Sequence, residues 1–296
     1  MKNLLFIFIC CFPFYSHGNT QKQIYWFTYN EVDTYKNIPS QIKPISTVAD
    51  TTRLLMQHLK NYQFTVEFAK SPTITRLVNK LPNSCAPNRV KTPERMTMGI
   101  FSQPLNIALD LRVYYKKGKQ SFPENVLNEN NRLASLSSLF TGKALLTLGV
   151  DSGRSLGNFL DKQVTALEPH NLVVRTGGGS TRALVEMLLK DRIDYIVDYP
   201  YSVNEALNFH SKKGALESIE IEGSPGYVLG YVVCNRSVEG QAIINDINRA
   251  LVKIYQSYEF YQAHSRYLES SDILHFNETY QEVFNVDIPL APENRE

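Results

Sequence analysis

The stretch RVKTPERMTMGIFSQP, residues 89–104, contains a side chain that needs an anion. Thr92, Pro93 and Glu94 predict a helix start, with a hydroxyl cap, a proline at the first helical position and an acid in the first turn. Arg95 lies in the same turn, where the positive end of the helix dipole repels a cation. The anion could be Glu94, another side chain, or a ligand carboxylate held by two parallel hydrogen bonds.

A second segment suited to an anion is DSGRSLG, residues 151–157. It follows a predicted buried strand at 143–150, and we interpret it as a strand-to-helix turn. The first N–H groups of a helix have no carbonyl partner within the helix, so they are free to bind an anion. Ser152 and the backbone of Arg154 are the candidates. The Arg154 side chain could add positive charge to a cleft, or it could obstruct the cleft.

Asp198 is the candidate carboxylate. It follows the predicted strand 193–197, at the carboxyl end where α/β sheets place ligand-binding groups. The alternative is that it caps a turn with Tyr199 and Pro200. The glycine-rich run VVRTGGGST, residues 173–181, ends another predicted strand, and its backbone could approach an anion or simply begin a helix.

The elements that position these residues alternate between strand and helix. Runs of β-branched and aromatic residues predict the strands, and apolar residues at helical spacing predict the helices. This order favours an α/β fold with largely parallel sheets. Predicted strands cover 23–28, 64–68, 105–115, 143–150, 193–197 and 226–234, and predicted helices cover 48–62, 74–80, a short stretch from 136, 182–190 and 243–254.

Several segments, taken in order, resemble one known family. The run TPER with the FSQP that follows it is similar to a signature of bacterial periplasmic solute-binding proteins of the polar amino-acid family, extracellular solute-binding family 3. Its nearest likeness is to a proteobacterial branch with a cysteine shortly before TPER, over residues 22–270. The later matching segments are SLSSLFTGKALLTLGVDSG (135–153), LLKDRIDYIVDYP (188–200) and LGYVVCNRSVEGQAIINDINRALVKIY (229–255).

The resemblance implies a two-lobed type II periplasmic-binding fold. In that fold two discontinuous domains with parallel or mixed sheets are joined by a two-strand hinge. Lobe 1 would comprise residues 19–106 and 230–296, and lobe 2 would comprise residues 107–229. The chain would cross between the lobes near 104–108 and 228–232, and motion there would close the lobes over a ligand.

The resemblance also implies roles for individual residues. Arg95 would bind a ligand's α-carboxylate, and Asp198 in the other lobe would bind its α-ammonium. Trp26, Phe27 and Tyr29, in and just after the first strand, are candidates to flank the ligand, although half of such an alternating set must face the core.

The sequence departs from the family pattern at three places. The glycine-rich segment that normally follows the first strand is absent. Val90 stands where the family commonly has a hydroxyl facing the ligand, and Arg154 stands where it normally has threonine. These departures raise the possibility of a cleft that has lost its original ligand.

Residues 1–18 predict a secretory signal peptide. They contain a lysine and an apolar run at 4–14 that is too short to cross a bilayer, followed by small polar residues up to Gly18. A retained anchor is the alternative. The mature protein would be periplasmic and would keep Cys85 and Cys234. Because the resemblance places both in one lobe and the compartment is oxidising, we predict a disulfide between them, the alternative being two buried thiols.

Composition excludes several other classes. Lys and Arg total 31 against 29 Asp and Glu, without a basic cluster, so nothing indicates nucleic acid as a partner. The histidines form no zinc motif, and GxSxG and nucleotide-binding motifs are absent, so neither a metal nor a cofactor is predicted. No second apolar run is long enough to cross a membrane.

The sequence therefore predicts a monomeric, non-enzymatic protein that captures a small amino-acid-like or carboxylate-bearing ligand. It would serve an ABC-type permease or a membrane sensor. The second hypothesis is a receptor-like accessory protein with a degenerate cleft, which acts through a partner protein. The third is a lyase or dehydratase on the same fold, because such enzymes need only a positioned acid or base.

Overall fold

The computed structural model describes residues 21–29, 44–119, 126–142, 145–152, 154–177 and 180–291. Over these ranges the chain forms two five-stranded sheets of mixed direction and nine α-helices. The predicted α/β class and the two-lobed arrangement are confirmed. The predicted signal peptide lies outside the described residues. Within those residues, no helix combines the length and apolar character needed to span a membrane.

Strands and helices alternate along most of the chain, as predicted. The strands are β1 (Lys22–Thr28), β2 (Tyr62–Phe68), β3 (Ser84–Arg89), β4 (Gly99–Leu109), β5 (Arg112–Lys116), β6 (Leu148–Asp151), β7 (Leu172–Arg175), β8 (Tyr195–Asp198), β9 (Leu216–Glu220) and β10 (Tyr227–Asn235). The helices are α1 (Thr47–His58), α2 (Ser71–Lys80), α3 (Pro93–Met98), α4 (Asn158–Thr165), α5 (Ser180–Leu189), α6 (Pro200–Phe209), α7 (Val238–Ile254), α8 (Tyr258–Ser265) and α9 (Ile273–Phe284).

The first sheet, with the helices packed on it, forms lobe 1. Its strand order is β2-β1-β3-β10-β4. β1 pairs in parallel with β2 and β3, whereas β10 runs antiparallel to β3 and β4. The chain therefore returns to its first sheet after building the second, which makes lobe 1 discontinuous in sequence.

β1 lies inside this sheet and is covered on both faces. Trp26 is fully buried in the main core of lobe 1, while the adjacent Phe27 is buried in a smaller cluster that also contains Ile74 and Val78 of α2. A strand covered on both faces does not alternate between apolar and polar residues, so its sequence does not show which side chains point to which face. The Trp26 side chain is enclosed in this core, so its predicted ligand contact stays a prediction without support from its position.

The C-terminal helices complete the lobe 1 core. α7 buries Ile243 and Ile247 on its inner face, as the predicted helical spacing requires. α9 buries Phe276, Tyr280 and Phe284 against the same core. The sequence left the residues beyond 270 unassigned, yet the spacing of these three aromatic residues is that of one helix face.

A disulfide joins Cys85 of β3 to Cys234 of β10, as predicted. The two cysteines are directly paired in the antiparallel ladder. They are separated by 149 residues. Closing so long a loop stabilises a fold by about 5 kcal/mol in the chain-entropy model, because it restricts the unfolded chain.

The second sheet and its helices form lobe 2, with strand order β7-β6-β8-β5-β9. β6 pairs in parallel with β7 and β8, and β5 runs antiparallel to β8 and β9. Two predictions are corrected here. The helix expected from 136 is a short 3₁₀ turn, Leu136–Phe140. The strand expected at 143–150 begins only at Leu148, and Leu145 is exposed.

The predicted strand 105–115 is in fact two strands, β4 and β5, separated by Asp110 and Leu111. The Asp110 carboxylate accepts a hydrogen bond from Ser224 Oγ at 2.9 Å, which fixes the chain at the break. β4 belongs to lobe 1 and β5 to lobe 2, so the chain crosses here and returns between β9 and β10. The predicted lobe boundaries fall inside β4 and β10 and remain predictions.

Candidate functional site

A cavity of about 410 Å³ is lined by residues of both lobes. This volume is within the usual range for small-ligand sites. The carboxyl ends of β3 and β6 contribute to its walls, which agrees with the general placement of ligand sites in α/β sheets. Polar groups at strand ends are thereby brought to one place.

Arg95, on α3, lines the cavity from lobe 1. The predicted helix start is confirmed, because Thr92 Oγ1 accepts a hydrogen bond from the Arg95 N–H at 3.2 Å. Arg95 Nη1 donates to the Val90 carbonyl at 3.1 Å, and the guanidinium has no ion pair with a described residue. Burial lowers the pKa of Arg95, while the charges of Asp161 and Glu94 oppose that shift.

A second guanidinium of lobe 1, that of Arg89 at the end of β3, also lines the cavity. It is only 5% exposed. It donates to Ser71 Oγ at 2.9 Å and Thr75 Oγ1 at 3.2 Å, and these hydroxyls leave its charge unbalanced. Burial lowers the pKa of Arg89 to about 10, and the nearby charge of Arg95 contributes. Arg89 was not among the predicted site residues, because the sequence did not predict the strand β3 that brings it to the cavity.

Tyr29 lines the cavity beside a chain of hydrogen-bonded amides. Its hydroxyl accepts from Asn88 Nδ2 at 3.1 Å. Asn88 Oδ1 accepts from Asn106 Nδ2 at 3.1 Å, and Asn106 Oδ1 accepts from Thr51 Oγ1 at 2.7 Å. Gly230 packs closely here, since a Cβ at that position would overlap Asn88 Oδ1. The network therefore holds the polar wall around Tyr29 in one arrangement.

Arg154 and Asp198, the two charged candidates of lobe 2, bind each other. Arg154 Nη1 donates to Asp198 Oδ2 at 2.7 Å, and Nη2 donates to Oδ1 at 2.5 Å. Thr181 Oγ1 donates to Oδ2 at 2.8 Å, and the Tyr199 N–H donates to Oδ1 at 2.8 Å. Four donors thus use the acceptor capacity of the carboxylate. Asp198 is fully buried and does not line the cavity, whereas Arg154 does.

The Asp198 carboxylate stabilises the charged form of Arg154. Burial alone would lower the pKa of Arg154, but the Asp198 carboxylate reverses the effect and raises it. In this structure Asp198 is therefore the counter-ion of Arg154. An ammonium group could reach Asp198 only by displacing Arg154.

The DSGRSLG segment does not begin a helix, because α4 starts only at Asn158. The Ser152 N–H donates to the Arg175 carbonyl at 2.8 Å, and the Arg154 N–H donates to the Asp151 carbonyl at 3.2 Å. Both N–H groups are engaged, so the prediction that they are free to bind an anion is wrong. Ser152 itself lines the cavity.

The two acids that do line the cavity also have cationic partners. Asp151 accepts from Arg175 Nη1 at 3.1 Å, and Glu205 accepts from Arg182 Nη2 at 2.9 Å. Burial raises the pKa of Glu205 to about 7, although Arg182 acts in the opposite direction. Glu205 thus changes its charge near neutral pH.

Positive charge exceeds negative charge on the described wall of the cavity, and this wall contains neither histidine nor cysteine. The described residues also include no group of three or more His, Cys, Asp or Glu placed to hold a metal ion. An excess of cations raises the local concentration of anions. The basic residues of the wall are Lys70, Arg89, Arg95, Arg154 and Arg182, and the acidic ones are Asp151 and Glu205.

No protein-family model and no curated protein matches the sequence. Among solved structures, the chain is similar to EhuB in complex with hydroxyectoine, with a TM-score of 0.60, 17% identity, and coverage of 90% of this chain and 95% of that one. It is also similar to an arginine-specific periplasmic binding protein of Salmonella typhimurium (TM-score 0.58, 15% identity, 82% and 97%). A histidine kinase sensor domain with similarity to periplasmic binding proteins gives a TM-score of 0.61 at 10% identity, covering 84% and 97%. At these identities the likeness concerns the fold alone.

Proposed function

We propose that this chain, which has the two-lobed type II periplasmic-binding fold, is a solute-binding protein that holds a small polar ligand between its lobes. The ligand carries a carboxylate or a comparable anionic group. The similarity to solute-binding proteins supports a binding role, and the volume of the cavity suits a small molecule.

The observation that carries the proposal is the unpaired guanidinium of Arg95 in the cavity wall. It donates to one neutral carbonyl, and it has no ion pair with a described residue. A partly buried cation with this environment gains most from a charged acceptor, because the hydrogen bonds are charge-assisted and the surroundings screen them weakly. An incoming carboxylate supplies such an acceptor.

We further propose that the lobes close over the ligand by bending at the two crossings, β4 to β5 and β9 to β10. Arg112 of β5 donates to both oxygens of Asp272, next to α9 in lobe 1, at 2.8 and 3.4 Å. This ion pair joins the lobes beside the first crossing. It would keep the two lobes in register while the cavity opens and closes.

Our proposal for location and partners follows from the predicted export signal at residues 1–18. The mature chain would act in the periplasm as a monomer and deliver its ligand to an ABC-type permease or to a sensor. The Cys85–Cys234 disulfide supports an oxidising compartment.

A thermal-shift panel of amino acids, dicarboxylates and phosphorylated metabolites tests the binding role. A compound at one hundred times its Kd adds about 2.7 kcal/mol of stability, which raises the Tm of a protein of this size by roughly 5 °C. Arg95→Gln should abolish the shift. Arg249→Gln, which removes a guanidinium from the exposed face of α7, should keep it. Equal shifts in both variants would contradict the assignment of Arg95.

A receptor-like accessory protein with a degenerate cleft is the second candidate function. It is favoured by the Arg154–Asp198 pair, which fills space and acceptors on the lobe 2 side of the cavity. If no compound of the panel raises the Tm, this candidate replaces the first. If a compound is bound and then consumed, the third hypothesis, a lyase or dehydratase, replaces both.

A further inference from the structure

The charged groups of the cavity differ in whether they already have a counter-ion. Three carboxylates on or just behind the lobe 2 wall, those of Asp151, Asp198 and Glu205, are paired with guanidinium groups. On the lobe 1 side, Arg89 and Arg95 have no ion pair with any residue that the structure describes. Among the residues that the structure describes, the cavity wall therefore offers two guanidinium groups without a counter-ion and no carboxylate without one.

Asp198 is the least available of the acids. Its two oxygens accept from Arg154 twice, from Thr181 and from the Tyr199 N–H, and its side chain is fully buried. An ammonium group in the cavity would have to break a two-point ion pair to reach it. Breaking a buried pair leaves an uncompensated charge, which strongly destabilises the protein.

The remaining acids provide no better site for an ammonium group. Glu205 is held by Arg182, and burial raises its pKa to about 7, so it is partly neutral at physiological pH. Asp161, whose charge reaches Arg95 from lobe 2, already accepts from Ser155 Oγ at 2.6 Å and the Leu156 N–H at 2.7 Å. An ammonium enclosed here would lose its water without gaining a free carboxylate.

Arg89 and Arg95 present the opposite situation. They lie close enough for the charge of Arg95 to lower the pKa of Arg89, and both line the cavity, Arg89 buried and Arg95 partly buried. One anion between them would relieve their repulsion and replace neutral acceptors with charged ones. Two guanidinium groups balance two negative charges.

We infer that the ligand is a small dianion without an ammonium group, such as a dicarboxylate or a phosphate monoester, and that Arg89 and Arg95 bind its anionic end. This inference rests on the proposed binding function and names its ligand class. Arg154 then takes the place of a ligand ammonium group, because its guanidinium is the counter-ion of Asp198.

Matched pairs of compounds test the inference on the mature wild-type protein. Succinate and glutarate have the carbon skeletons of aspartate and glutamate without the ammonium group, and glycerol 3-phosphate represents the phosphate monoesters. Kd values from titration calorimetry should be at least tenfold lower for succinate or glutarate than for the matching amino acid, or glycerol 3-phosphate should bind while both amino acids fail. Which of the three compounds binds most tightly shows whether the natural ligand is a dicarboxylate or a phosphate monoester.

The variant Arg154→Ala supplies a second test, because it exposes the acceptor oxygens of Asp198. It should reduce or reverse the preference for the deaminated compound within each pair. Arg132→Ala removes a guanidinium from an exposed ion pair with Glu220, outside the cavity wall, and should keep the wild-type preference. Circular dichroism checks that both variants remain folded, and if Arg154→Ala does not, the wild-type preference decides the question.

The outcomes separate this inference from the function on which it rests. Tighter binding of aspartate or glutamate than of succinate or glutarate, lost in Arg95→Gln, would overturn the inference and keep the binding function. An unchanged preference in folded Arg154→Ala would overturn the role given to Arg154. Binding of no compound at all would overturn both the function and the inference.

Discussion

The two lobes differ in whether the arginine side chains at the cavity have a carboxylate partner. In lobe 2, Arg154, Arg175 and Arg182 each bind a carboxylate of the same lobe. In lobe 1, Arg89 and Arg95 donate only to hydroxyl and carbonyl oxygens of described residues. Removing one partner of a buried ion pair strongly destabilises a folded protein. An unpaired buried cation, in contrast, gains a charged acceptor when an anion binds.

The two lobes also differ in the interactions that join their strands and helices, which are a disulfide in lobe 1 and buried ion pairs in lobe 2. Lobe 1 contains the Cys85–Cys234 disulfide, which joins two strands of its sheet. A covalent link tolerates unbalanced charge nearby, because it restricts the unfolded chain and does not depend on the charges. The segment between β5 and β9 contains no cysteine, and its cavity wall is built around ion pairs. This contrast can be tested by removing each link in turn.

The largest effect on stability should come from the disulfide. The variant Cys85→Ala/Cys234→Ala should lose about 4 to 5 kcal/mol of unfolding free energy, since the unfolded chain gains the freedom of a 149-residue loop. Urea unfolding with and without reductant measures this loss. Reduction should lower the unfolding free energy of wild type to that of the variant, and reductant should not change the unfolding free energy of the variant. Equal stability of all four samples would contradict the structural role of the bond.

The ion pair of lobe 2 should give the next largest effect. Asp198→Asn keeps the shape of the side chain but leaves Arg154 without its counter-ion, and it should cost about 3 kcal/mol of unfolding free energy. The matched control is Asp191→Asn, which removes an exposed carboxylate bound by Lys116 and Lys119 and should cost far less, because solvent screens an exposed ion pair. Chemical unfolding of the ligand-free proteins measures both. Equal losses would show that burial does not distinguish the two sites.

Glu205 should make stability depend on pH in the direction opposite to ordinary carboxylates. Its pKa is raised by burial from 4.5 to about 7, so the folded protein binds this proton more tightly than the unfolded chain. Its contribution to stability is therefore largest at low pH and is lost as pH rises between those values, by roughly 2 to 3 kcal/mol. Unfolding free energies measured from pH 5 to 7 in wild type and Glu205→Gln check this. The decrease in unfolding free energy with rising pH should be smaller in Glu205→Gln than in wild type. Identical pH dependence in the two proteins would contradict the raised pKa of Glu205.

The smallest effect on stability is expected at Arg89. Arg89→Met removes a buried charge that has no carboxylate partner and fills the same space, so ligand-free stability should change by no more than about 1 kcal/mol. Binding of the preferred dianion should nevertheless be lost, which calorimetry measures alongside chemical unfolding. A loss of stability as large as that of Asp198→Asn would remove the distinction between the two walls.

Much of the fold could be predicted because it depends on local patterns. The capped start of α3 follows from Thr92 and Pro93, and the inner face of α7 follows from its isoleucine spacing. A strand at 23–28, within β1, was also predicted, but the direction in which its side chains point was not. β1 is covered on both faces, so the sequence could not tell that Trp26 points into the core.

The charge pairing of the site could not be read from the sequence. Arg154 and Asp198 are 44 residues apart and meet only because β6 and β8 are neighbours in the sheet. Residue types identified both as candidates for ligand contact, but only the tertiary structure shows that each satisfies the other. Arg89 escaped notice for a related reason, because a buried cation is recognised by its surroundings and not by its neighbours in sequence.

The most direct test of the whole account is calorimetric titration of the preferred dianion among succinate, glutarate and glycerol 3-phosphate into wild type and Arg95→Gln, with Arg249→Gln as the control. We expect saturable binding in wild type and the control, and at least a hundredfold weaker binding in Arg95→Gln. Binding of that dianion that is equally strong without the Arg95 guanidinium would contradict the claim that the unpaired cations of lobe 1 bind the ligand.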